Sequence, residues 1–114
     1  MPKPEPSLEI RTFRETDREN VIDLWRRTEL IRLSEPPEDI NRRLDIPPEL
    51  FFIAEVSGKI VATLAAIHEG DTGSVDNLSV DPEFRRQGIG HLMMLKAESE
   101  LSKLGCEKIV IHSE

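Results

Sequence analysis

The stretch Val80-Asp81-Pro82-Glu83-Phe84-Arg85-Arg86-Gln87-Gly88-Ile89-Gly90 decides how this chain is read. Before it, Val75-Asp76-Asn77-Leu78-Ser79-Val80 has the character of a strand, which Pro82 ends. After it, Gly88 to Leu104 carries a helical pattern, with Ile89, Leu92, Met93, Leu101 and Leu104 usable as one buried face and Gly105 suited to close it. A helix that starts here leaves about four N–H groups unpaired, and its macrodipole adds roughly half a positive charge. Gly88 and Gly90 have no Cβ, so a ligand can come close to the backbone. Arg85 and Arg86 add positive charge. This is the chemistry of an anion site, and a diphosphate is the guest it suits. Two glycines alone are equally what a tight strand-to-helix turn uses for packing. The stretch lacks the Gly-Lys-Ser/Thr ending of a Walker loop and the third glycine of the dinucleotide fingerprint. Gln87 to Leu95 has too few basic residues for a DNA-recognition helix.

Working outward, Leu8-Glu9-Ile10-Arg11-Thr12-Phe13 alternates apolar and polar, the period of a half-buried strand. Thr16 and Glu19 have capping-box spacing, and a helix is predicted over about 17–29 with Val21, Ile22, Leu24 and Trp25 on it. Pro36-Pro37 and Pro47-Pro48 bracket a short second helix in which Ile40 and Leu44 share a face. Leu50 to Val56 and Ile60 to Ile67, joined by Ser57-Gly58-Lys59, read as an antiparallel hairpin. Glu69-Gly70-Asp71-Thr72-Gly73 reads as the turn into the Val75 strand, and Lys108 to His112 as a final strand. The order β-α-α-β-β-β-α-β predicts an α+β fold, with helices flanking a mostly antiparallel sheet.

The sequence has 114 residues, 38% hydrophobic and 32% charged, with a net charge of −7. That suits one globular domain over residues 8–114, after a flexible lead-in at 1–7 that holds three prolines. The acidic balance argues against non-specific binding to nucleic acid or an anionic membrane, and tolerates cationic partners. Cys106 is the only cysteine, so neither an intrachain disulfide nor a cysteine-based metal site is expected. A single thiol fits the reducing cytoplasm. No apolar run approaches the roughly 20 residues of a membrane span. Trp25, Phe51, Phe52, Met93 and Met94 read as packing residues, and Cys106 as a small buried hydrophobe.

The chain resembles the GCN5-related N-acetyltransferases. Their signature is Arg or Gln, two residues, Gly, one residue, then Gly or Ala, after a Val-x-Pro strand end. Val80-Asp81-Pro82 followed by Arg85-Arg86-Gln87-Gly88-Ile89-Gly90 matches it, and the element order matches over about 8–112. The resemblance implies acetyl-CoA as co-substrate and a primary amine of a small molecule or peptide as acceptor. It implies that backbone N–H groups from Arg86 through Gln87, Gly88 and Ile89 to Gly90 hold the pyrophosphate. Arg85 would meet phosphate or the adenine side, and His91 would sit near the diphosphate or simply face solvent. Leu78, Ser79 and Val80 would pair by backbone with the pantetheine arm where the fourth and fifth strands splay apart. An N–H near Leu78 would polarise the thioester carbonyl.

An amine attacks a thioester only after losing its proton. Where many relatives carry an acid, four residues before Val80, this chain has Asp76, the leading candidate base. A solvated acid that attracts a cationic substrate is the alternative reading. His68, Glu69 and His112 are the other candidates. Family members continue beyond the position of Glu114 with a tyrosine-bearing helix and a last strand pair, and this sequence has no tyrosine. The domain therefore reads as C-terminally truncated. A fragment, a homodimer covering the strand edge at His112, and a minimal relative that keeps coenzyme binding all fit. A coenzyme thiol leaves tolerably near neutral pH without an acid. A non-catalytic acetyl-CoA sensor or interaction module is the alternative to an enzyme.

Overall fold

The computed structural model describes residues 8–111, so the expected lead-in and the readings of His112 lie outside the described residues. In chain order the elements are β1 (Leu8–Thr12), α1 (Arg18–Arg27), α2 (Pro37–Arg43), β2 (Phe51–Val56), β3 (Lys59–Glu69), β4 (Thr72–Val80), α3 (Ile89–Lys103) and β5 (Lys108–Ile111). The strands lie side by side in that same order. β1 to β4 form an antiparallel meander, and β5 returns parallel to β4 after the α3 crossover. The expected mixed, mostly antiparallel α+β fold is thus the one found.

β2 shows why Phe51-Phe52-Ile53-Ala54 is apolar without a break: the sheet is covered on both faces. Phe52 and Ala54 join Val61, Leu64, Ala66 and Val75 beneath α3. Phe51 and Ile53 face the other way, into a cluster with Val21, Leu24 and Trp25 of α1 and Ile40 of α2. There Phe51 stacks on Phe13 at a centroid distance of 4.8 Å and on Trp25 at 6.1 Å. The buried indole N–H of Trp25 donates to Thr63 Oγ1 at 2.8 Å, so its one polar atom is satisfied inside the core.

Three local expectations are corrected. The buried face of α3 is the four-spaced row Ile89, Met93, Ala97 and Leu101, whereas Leu92 and Leu104 are exposed. A strict i, i+4 row crosses the sheet obliquely and leaves those two leucines off the contact line. The helix comes close because Gly73 lies beneath it: a Cβ there would stand 2.9 Å from Leu101 Cδ1. Next, β4 begins at Thr72, so the turn before it is shorter than the sequence suggests. Finally, the Thr16–Glu19 capping box does not form. A 3-10 turn at Glu15–Asp17 leads into α1, and the Asp17 carboxylate takes the capping role by accepting the Arg14 N–H at 2.8 Å.

Asp17 wins that role because Arg11 holds it. The guanidinium grips both carboxylate oxygens at 2.8 and 2.9 Å, and its Nε donates to Glu55 at 2.6 Å. Bidentate, charge-assisted pairing of this kind is stronger than a hydroxyl cap. It ties β1, β2 and the start of α1 together with both side chains largely out of water, at 12% and 9% exposure. The hydrogen bonds from Arg11 hold the Asp17 carboxyl below the usual carboxylate range, against the opposing effect of burial. A depressed folded-state value stabilises the fold above the unfolded value near 4, and that stability is lost as pH falls through the folded value. Asp17→Asn should therefore destabilise the protein by about 2 kcal/mol in denaturant unfolding at pH 7. Its deficit against the wild type should stay constant above about pH 5 and shrink steadily below about pH 4.

Candidate functional site

β4 changes character halfway along. Between the pairs Ala65–Asp76 and Thr63–Ser79, the single residue Leu64 of β3 faces two residues of β4, Asn77 and Leu78, which makes a β-bulge. Before the bulge Val75 is buried under α3. After it, Ser79 turns toward α1, where its hydroxyl shares a 2.6 Å hydrogen bond with Thr28 Oγ1. Leu78 and Val80 turn toward α3, within 3.6 and 3.9 Å of where a Cβ on Gly90 would stand. That is ordinary contact distance, so position 90 accepts glycine or alanine and little more.

β5 pairs with β4 only from Thr72 to Val75. From Leu78 to Val80 that edge of β4 has no strand partner among the described residues. Beside it lies a cavity of about 450 Å³ lined by Thr28, Glu29, Leu30, Leu78, Ser79, Val80 and Arg85. Four of the ten expected coenzyme residues thus line one cavity. A strand edge with free N–H and C=O groups binds extended amide-bearing chains, and this one ends at a helix N-terminus.

That helix start is built to leave its donors exposed. Gly88 occupies the N-cap at φ 79°, a left-handed conformation that L side chains rarely adopt. It supplies no side-chain cap, and the first turn of α3 holds no acid. A Cβ on Gly88 would meet nothing within 4 Å, so the space before the helix is open. Arg86 is also left-handed, at φ 65°. Arg85, Arg86, Gln87 and His91 are exposed, and neither arginine enters an ion pair among the described residues. Arg85 Nε donates to the Val80 carbonyl at 3.2 Å, a bond that any ligand pairing with that carbonyl would displace. Uncapped N–H groups, open space and two cations fit a diphosphate.

The turn is pinned from below by Asp81, whose role the sequence reading missed. Its carboxylate is 2% exposed as a residue and accepts from Arg27 at 2.8 Å and from the Glu83 N–H at 3.0 Å, with Lys59 at 3.8 Å. Its own N–H continues the β3 ladder to the Val61 carbonyl at 2.7 Å.

The candidate bases separate cleanly. Asp76 is exposed on β4, two β3 positions from Thr63, or about 7 Å along the strand from Ser79. It does not line the cavity itself. His68 and Glu69 pair with Gly73 and Thr72 at the far end of the hairpin, roughly 17–20 Å away on the same scale. The His68 ring is bonded to the Gly70 carbonyl at 2.8 Å.

Thr28, Glu29 and Leu30 were not anticipated, because their positions depend on how α1 ends. It closes in a Schellman motif: the Glu29 N–H bonds to Arg26 O at 3.1 Å and the Leu30 N–H to Trp25 O at 2.8 Å. Glycine is usual where Glu29 stands, and Glu29 adopts φ 62°, a conformation costing a non-glycine residue about 1 kcal/mol. Next to it a groove of about 560 Å³ follows the loop into α2. In that groove burial pushes the Glu35 carboxyl up, but hydrogen bonds from Arg43 and the Arg32 N–H outweigh this and leave it below the usual range.

The acetyltransferase (GNAT) family profile matches residues 18–114. An acetyltransferase of Photorhabdus laumondii is 44% identical over 105 residues, covering 91% of this chain and 73% of that protein. Two solved structures share the fold at low identity. The Escherichia coli ribosomal-protein-S18-alanine N-acetyltransferase matches with a TM-score of 0.71 at 22% identity, over 88% of this chain and 63% of its own. A GNAT family acetyltransferase from Brucella melitensis, in complex with acetyl-CoA, matches with a TM-score of 0.73 at 16% identity, over 95% of this chain and 77% of its own. A bulged, half-paired fourth strand that runs into an uncapped glycine helix start, together with these matches, makes this chain a member of the GNAT acetyltransferase family.

Proposed function

We propose that residues 8–114 form a domain that transfers an acetyl group from acetyl-CoA to a primary amine, of a small molecule or a peptide, by direct attack. One observation carries this reading: the open edge of β4 lines a cavity, and its Leu78 and Val80 lie against Gly90 in the uncapped first turn of α3. The coenzyme supplies the activated acetyl thioester, and the chain supplies everything else. Backbone N–H groups from Arg86 to Gly90 hold the diphosphate, with Arg85 and Arg86 adding charge. Leu78, Ser79 and Val80 pair with the amides of the pantetheine arm, and the Leu78 N–H donates to the thioester oxygen. Asp76 accepts the proton of the amine, directly or through water. We place the protein in the cytoplasm on the strength of its one unpaired thiol, Cys106.

Thiol release with acetyl-CoA and a panel of amines tests the reaction. Coenzyme binding with no amine-dependent thiol would instead favour a coenzyme-binding module. Gly88→Glu should weaken coenzyme binding at least about 100-fold in calorimetry, roughly 2.7 kcal/mol, by placing a carboxylate where the diphosphate lies. Gly88→Asn tolerates the left-handed conformation and adds no charge, so it should lose far less. Similar affinity for the wild type and a folded Glu variant would refute this placement.

Asp76→Asn should lower kcat roughly 100-fold, flatten the acid limb of the pH–rate profile, and change the KM for acetyl-CoA less than about twofold. An unchanged profile would remove Asp76 from the base role.

A further inference from the structure

We propose that Glu29 selects the acceptor by holding a second cationic centre of the amine substrate, away from the nitrogen that is acetylated. This rests on the transfer reading above and names the substrate class that the reading leaves open. Glu29 and Leu30 line both the cavity beside β4 and the adjoining groove along the loop into α2, so any acceptor reaching the thioester through that groove passes them. The other acids of the groove are engaged: Glu35 by Arg43 at 3.0 Å and Asp39 by Arg42 at 3.5 Å. Glu29 enters no ion pair among the described residues, and its side chain is exposed. It also stands in the left-handed position of a helix-closing motif where glycine would serve the backbone better, so the fold gives no reason for a glutamate there.

Chemistry separates the two nitrogens. Asp76 already takes the proton of the reacting amine on this reading, and a second carboxylate beside that nitrogen would only favour its ammonium form. Glu29 therefore suits a cation that stays charged throughout. The substrate class is a dication, with one amine to be acetylated and a second ammonium to be held.

The test compares 1,4-diaminobutane with butylamine, in the wild type, Glu29→Gln and Glu29→Gly, by thiol release with acetyl-CoA. Glu29→Gln should lower kcat/KM for the diamine roughly tenfold, mainly through KM, and change that for butylamine less than about twofold. The diamine preference should shrink in about 0.5 M salt, roughly threefold above physiological ionic strength. The KM for acetyl-CoA should not move. Glu29→Gly should lose the same preference while melting about 3 °C higher. Equal losses for both amines, a retained preference, or a lower melting temperature in the glycine variant would overturn the assignment. If the wild type acetylates neither amine, the transfer reading is decided separately by the wider amine panel. Calorimetry of 1,4-diaminobutane with the coenzyme-loaded wild type and Glu29→Gln then decides the role of Glu29, and equal affinity overturns it.

Discussion

A carboxylate buried as deeply as Asp81 is tolerable only if its charge is answered. Arg27, the Glu83 N–H and Lys59 answer it from three directions. One residue thereby fixes the last turn of α1, the first residue of β3 and the turn into α3 relative to each other. Phe84 extends the same anchor, its ring lying 5.7 Å from Lys59 Nζ. With the end of α1 fixed, Thr28 meets Ser79, and Glu29 and Leu30 fall beside the open strand edge. The cost is that Arg27 and Lys59 are committed to Asp81. A ligand at the start of α3 must draw on the backbone, Arg85 and Arg86.

The second constraint is backbone pairing. Buried peptide groups are nearly always bonded, so a strand edge left open by its neighbour is either exposed or reserved for a partner. β4 serves both sides of this rule. Its first four residues pair with β5, and the bulge at Asn77–Leu78 then rotates the strand. That rotation carries Ser79 toward α1 and Leu78 and Val80 toward α3. Without the extra residue the faces would exchange, and Ser79 would point at the helix that Gly90 brings close. Gly90 and the bulge are therefore two parts of one fit between strand end and helix start.

What could be read from the sequence divides along physical lines. Periodicity reports which face of an element is apolar, so the strands, the helices and their order were readable, as were the packing roles of Trp25, Phe51, Phe52 and Met93. The Val80 to Gly90 stretch was readable because its chemistry is local: glycines and arginines at a strand-to-helix turn act on neighbouring backbone. Competition between partners was not readable. Arg11 decides that Asp17 rather than Thr16 caps the turn into α1, and no helical or strand period links Arg11 on β1 to Asp17 six residues later. The face of α3 was misread because leucines at 92 and 104 satisfy a helical period without lying on the contact row. Thr28 and Glu29 carry no sequence signal at all, since their importance comes from where α1 stops.

The charge distribution brings these points together. With a net charge of −7, the chain repels polyanions as a whole, yet the proposed coenzyme is itself strongly anionic. The conflict is resolved by distance. Screening confines fields to about 8 Å at physiological ionic strength, so a ligand responds to the groups beside it rather than to the total. At the start of α3 those groups are uncapped N–H donors and two arginines outside any ion pair among the described residues. Around the loop from α1 to α2 they are Glu29, Glu35 and Asp39 against Arg32 and Arg43, with Glu35 and Asp39 already ion-paired to arginines. On the proposed reading, the open edge of β4 is where these two local fields meet. An anionic coenzyme is favoured from one end and a cationic acceptor from the other. The net acidity of the chain therefore decides neither ligand, since each responds to the charges within a screening length of where it binds.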